Sequence, residues 1–148
     1  MRTRFVVIFA ALVALKACAR QPTFHTVASV RDLMDATVHP SAEVIFESVG
    51  TIISVKGTEE IAPQNDEEWA NVRRSAITVA EAGNLLMMGE RPKDKGEWMN
   101  RARALIDAGI LAKKAAEAKN PEALFNAGGI VYEACQQCHE RYKKDRLP

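Results

Sequence analysis

Cys135, Gln136, Gln137, Cys138 and His139 are the stretch of this chain whose residue types and spacing point to specific chemistry. Cys-x-x-Cys-His is the attachment sequence of c-type haem, in which two thiols add to vinyl groups and the next residue, histidine, ligates iron. On a helix, residues three and four apart share one side. Cys135, Cys138 and His139 would then grip a single porphyrin edge and its metal, which implies one covalent haem c per chain. Other chemistries use the same residue types. A thiol-disulfide oxidoreductase also carries Cys-x-x-Cys, but beside a βαβ pattern that this chain does not show. Structural zinc needs four ligands, and beyond the motif only His25 and His39 are available apart from carboxylates. A plain disulfide would strain a helical i, i+3 pair and leave His139 without a role.

The elements that must position these groups read as helices. The 148 residues are 47% hydrophobic, 26% charged and 6% aromatic, with 8 glycines and 6 prolines, a single-domain length and a helix-favouring composition. Lys and Arg number 20 against 19 Asp and Glu, so no nucleic-acid footprint shows. Apolar residues recur at three and four. Helix one is expected over about 27–53, with Val27, Val30, Leu33, Met34 and Val38 followed by Val44, Ile45, Val49 and Ile52 on a drifting stripe. Pro40 predicts a kink or restart at 39–41. Residues 56–65 read as a loop. Helix two starts near Asn65 or Asp66 and buries Trp69, Val72, Val79 and Leu86. Helix three covers about 97–119, and Asn120-Pro121 opens helix four, whose stripe runs through Leu124, Val131, Cys135 and Tyr142.

Four such helices with short links predict an all-α fold, an antiparallel up-down-up-down four-helix bundle over 27–148. In that topology Met34, Met87, Met88, Trp98 and Met99 share the motif's end of the bundle, and Trp69 lies at the other. No run of strands is expected.

The chain opens as an address. Arg2 and Arg4 precede an apolar run from Phe5 to Leu15, about 16 Å as a helix and too short for a ~30 Å hydrocarbon core. Leu15-Lys16-Ala17-Cys18 looks like a bacterial lipobox, although Lys16 departs from the small or apolar residue usual there. The expectation is a signal peptide at 1–17, a lipidated Cys18 and a tether to residue 26. The other reading is a secretory signal cleaved without lipid. Removing 1–17 takes away Arg2, Arg4 and Lys16, leaving 17 basic against 19 acidic residues, a net charge of −2 with His neutral. Lipidation would also account for an odd third cysteine, leaving Cys135 and Cys138. The residue after Cys18 is Ala19, which by resemblance to lipoprotein sorting signals favours the outer membrane.

An export signal, four helical stretches and a haem motif close to the C-terminus resemble the class II c-type cytochromes, which comprise cytochrome c prime and its low-spin relatives. The resemblance spans essentially the whole mature chain, and Cys135, Cys138 and His139 are its diagnostic residues. It implies an exported monohaem one-electron carrier, not an enzyme, with His139 as one axial ligand. Arg31-Asp32-Leu33-Met34 is similar to the segment from which low-spin members supply a methionine sulfur, which implies Met34 as the second; packing is the alternative role for Met34. Arg31 would pair with a haem propionate, as a helix-one arginine does in relatives, or else stand solvated. Lys143 matches the basic residue flanking the proximal histidine, or simply favours a helix C-terminus. A five-coordinate haem protein binding nitric oxide or carbon monoxide is the alternative function. Relatives often pair through helices one and two, which implies a homodimer. Arg141, Lys143, Lys144 and Arg146 form a basic end that either docks an acidic redox partner or is simply a solvated terminus.

Overall fold

The computed structural model describes residues 24–143, which are mostly helical, with four helices and one small hairpin among them. The expected signal peptide, Cys18, most of the tether, Lys144 and Arg146 lie outside the described residues.

Helix α1 covers residues 30–47 in three consecutive pieces, an α-helical turn Val30–Leu33, a π-helical stretch Met34–Val38 and an α-helix His39–Glu47. Ser29 starts it with a capping box: its Oγ accepts from the Asp32 amide at 3.1 Å, and the Asp32 carboxylate accepts from the Ser29 amide at 3.1 Å. Pro40 has no N–H, and its ring would crowd the carbonyl one turn back. The wider turn ahead of it, in which the His39 amide bonds the Met34 carbonyl, makes room. The break expected at 39–41 is therefore absorbed and the helix continues. The extra residue also corrects the drift of the apolar stripe, because Leu33, Val38, Ala42 and Ile45 are all buried although spaced by five, four and three.

Residues 50–61 depart from expectation. Helix one does not reach residue 53, and the segment is neither helix nor plain loop. Strands β1 (Gly50–Ser54) and β2 (Gly57–Ile61) pair antiparallel, with Gly50 opposite Ile61 and Ser54 opposite Gly57. Thr51, Ile52 and Ile53 are β-branched and stiff at χ1, which suits a strand better than a helix end. Gly57 turns the chain at φ 126°, where a side chain would be strained.

Helix α2 (Asp66–Leu86), helix α3 (Glu97–Glu117) and helix α4 (Pro121–Tyr142) follow. Asn65 Oδ1 accepts from the Glu68 amide at 3.0 Å and Asn120 Oδ1 from the Ala123 amide at 3.0 Å. Each such cap stabilises its helix by about 1 kcal/mol. Successive helices pack on one another, and α1 also meets α4. Between α2 and α3 the backbones come close. A Cβ on Gly109 would stand 2.7 Å from the Ala80 nitrogen, so only glycine permits that approach. Lys119 Nζ bonds Asp66 at 2.7 Å, whereas Trp98 Nε1 donates to the Leu86 carbonyl at 2.8 Å. Ile45, Val72, Val79, Leu124 and Val131 are fully enclosed at the centre of the core.

Candidate functional site

Leu124, Ala127, Val131 and Ala134 press α4 into the core, and this rotation decides how the motif is presented. Cys135 and Cys138 fall at the edge of the buried face and are half-buried, while His139 is exposed. All three line one narrow cleft. Met34 faces them from the π-helical stretch of α1, and Val38, Leu86, Trp98, Ala102 and Leu105 supply apolar walls from α1, α2 and α3. The cleft encloses about 20 Å³, and on its outer side Cys135 and His139 also border an open recess of about 300 Å³ with Tyr132, Gln136 and Glu140. The π-helical stretch packs against α2.

The electrostatics follow from burial. Desolvation pushes both thiols up, Cys135 further through its neighbour Cys138, while the Arg101 guanidinium partly offsets the rise at Cys138. Both are therefore thiols at neutral pH, the reverse of an activated dithiol nucleophile. Although His139 is exposed as a residue, desolvation where it borders the cleft, helped by the charge of Lys143, lowers it and leaves a neutral imidazole with a free lone pair for a metal.

The frame around the cleft is pinned at several points. Trp98 stands edge-on to Tyr142, ring centroids 5.0 Å apart, and the Tyr142 hydroxyl donates to the Asp94 carboxylate. Asp94 also receives the amides of Gly96 at 2.9 Å and Trp98 at 3.0 Å, so one carboxylate starts α3 and holds the end of α4. Arg91, in the α2–α3 connection, is buried: its Nε and Nη2 donate to the Ala28 carbonyl at 3.2 and 3.0 Å, and its Nη1 to the Leu85 carbonyl at 2.9 Å. That fork fixes the approach to α1 and hence the position of Met34.

Of the methionines expected at this end, Met34 lines the cleft, whereas Met87 and Met99 pack against the core without lining it. Arg31 is on the opposite footing from Met34: its side chain is 87% exposed, lies 3.8 Å from Asp35 and does not line the cleft. His39 is exposed beside Glu43 at 3.5 Å, and Lys143 caps α4 with its amide on the His139 carbonyl. Arg101 is the cation that does line the cleft. Its spacing of four from Glu97 is that of an ordinary surface pair, and nothing in the sequence alone marks it otherwise. Among the described residues no set of three or more His, Cys, Asp or Glu side chains converges as a bare metal-ion site.

No family model matches this chain, and neither does any curated protein or solved structure.

Proposed function

We propose that the chain is an exported c-type cytochrome that carries one electron at a time on a single covalent haem c. The observation that carries this reading is the meeting of Met34 with Cys135, Cys138 and His139 in one apolar-walled cleft. The donor set suits the group: two thiols for attachment, an imidazole and a thioether for iron, and hydrocarbon against the macrocycle. The haem would supply a ferrous–ferric couple, and the protein controls access and potential.

Within this reading Cys135 and Cys138 would hold the group to α4, and His139 from the same helix and Met34 from α1 would supply the nitrogen and sulfur donors to its iron. With both donors engaged the iron would be low-spin and less open to external gases, and a thioether would raise the potential. The cleft itself encloses little space, and beside Cys135 and His139 it borders the open recess of about 300 Å³. The helices are read as an antiparallel up-down-up-down bundle, since the start of α2 meets the chain just past the end of α3 at Asp66 with Lys119, and the end of α2 meets the start of α3 at Leu86 with Trp98. Cys18 is read as a lipidated mature N-terminus that tethers the domain to the periplasmic side of a bacterial membrane, with the outer membrane favoured. An acidic redox protein is the expected partner of the basic end at Arg141 and Lys143, and a homodimer remains part of this reading.

The test is expression in cells equipped for haem attachment, followed by denaturing electrophoresis and haem staining. A stained band whose mass exceeds the mature chain by one haem supports the proposal. Unmodified thiols at full occupancy overturn it.

A further inference from the structure

Arg101 carries an inference that rests on the haem reading and deepens it. Its side chain, from the first turns of α3, is 31% exposed and lines the cleft with Cys135, Cys138 and His139. Nε and Nη2 both hold Glu97 Oε1, at 2.8 and 2.6 Å, and Nη1 donates to the side-chain oxygen of Gln137, a residue inside the attachment motif. The guanidinium is thus clamped from two helices, which a flexible surface arginine is not. Glu97 is more exposed, at 44%, and does not line the cleft. The ion pair is a dipole with its positive end toward the motif and its negative end toward solvent.

We propose that this oriented pair sets the reduction potential of the group held at Cys135 and Cys138. Taking up one electron from a donor protein removes one positive charge from the site, with no bond made or broken. A fixed cation beside an apolar cleft favours the state with less positive charge, because the low local dielectric leaves its field poorly screened. Arg101 therefore raises the potential, and Glu97 opposes it more weakly from the wetter side. Arg101 is here a positioning residue as well, since through Gln137 it holds the segment bearing Cys138 and His139 against α3.

The two roles separate by sign. Arg101→Gln and Glu97→Gln break the same ion pair, so a purely structural contribution moves the potential the same way in both. An electrostatic contribution moves it in opposite directions. Spectroelectrochemical titration of the haem-loaded protein at low ionic strength should find R101Q shifted toward the oxidised state and E97Q toward the reduced state. Arg101→Lys, which keeps the charge but not the fork that reaches both Glu97 and Gln137, should shift the potential less than R101Q, with thermal melts confirming that each variant is folded. The expected size for R101Q is up to about tenfold in the electron-transfer equilibrium, which is about 59 mV for a one-electron couple. Shifts of the same sign in R101Q and E97Q, or none in either, overturn the assignment while leaving the haem reading intact. Absence of haem from the wild-type protein overturns both.

Discussion

Met34 on α1 and Cys135 on α4 line the same cleft although most of the chain separates them in sequence. The juxtaposition depends on the π-helical stretch that begins at Met34, because the extra residue before Pro40 keeps Leu33, Val38 and Ala42 in the core and sets the phase at which Met34 projects. Replacing Met34 by Ala should convert low-spin iron to high-spin, lower the potential and admit carbon monoxide. Met87→Ala, outside the cleft, should leave the spectrum unchanged and only cost packing. Optical spectra of both variants, with and without carbon monoxide, decide the point, and a wild-type protein already high-spin would favour the five-coordinate alternative.

Arg91 should be among the more costly single residues to lose outside the core. Its buried fork satisfies the Ala28 and Leu85 carbonyls, and Arg91→Ala leaves both without that partner. Hydrogen bonds from a charged donor suggest a loss of about 2–3 kcal/mol, read as a lower urea midpoint at an unchanged slope. Arg91→Lys should recover only part of this, since an ammonium cannot reproduce the planar fork.

The Tyr142–Asp94 contact predicts a stability window. The bond from Tyr142, with help from the Trp98 and Gly96 amides, holds the Asp94 carboxyl below its ordinary value, so its contribution is full above the usual carboxylate range and fades as pH falls through the lowered value. Desolvation and the Asp94 charge raise the Tyr142 phenol, so its contribution is full below pH 10, the ordinary phenol value, and fades as pH climbs through the raised one. Tyr142→Phe should flatten both edges. Thermal melts of wild type and variant across pH would show it, and parallel curves would count against the contact.

Cys18→Ser should release the mature protein from membranes into the periplasmic fraction. Several acyl chains anchor stably where one holds only marginally. Unchanged membrane fractionation of the variant would remove the lipobox reading.

Much of the helical frame was legible because local chemistry announces it. Asn65, Asn120 and Pro121 mark helix starts by the hydrogen bonds they can and cannot make, and they start α2 and α4 as expected. The hairpin is masked in the sequence for a physical reason: Val49 and Ile52 lie three apart and continue a helical stripe, while the signals that favour strands are Gly50, Gly57 and the stiff run Thr51-Ile52-Ile53. The π-helical stretch was visible only as a proline in an otherwise helical pattern. At the site, the motif was readable from spacing alone. Arg101 was not, since whether a member of an i, i+4 pair faces solvent or a cleft depends on how α3 is rotated against α4, and Asp94 and Arg91 act across connections whose path the sequence leaves open.

The most direct measurement of the central claim is the mass of the mature protein made in cells with haem-attachment machinery, alongside Cys138→Ser. The account predicts a wild-type mass raised by one haem that survives denaturation, and weakened attachment in the variant. A wild-type mass equal to that of the bare mature chain with two free thiols, in cells that attach haem to a control cytochrome, would contradict it.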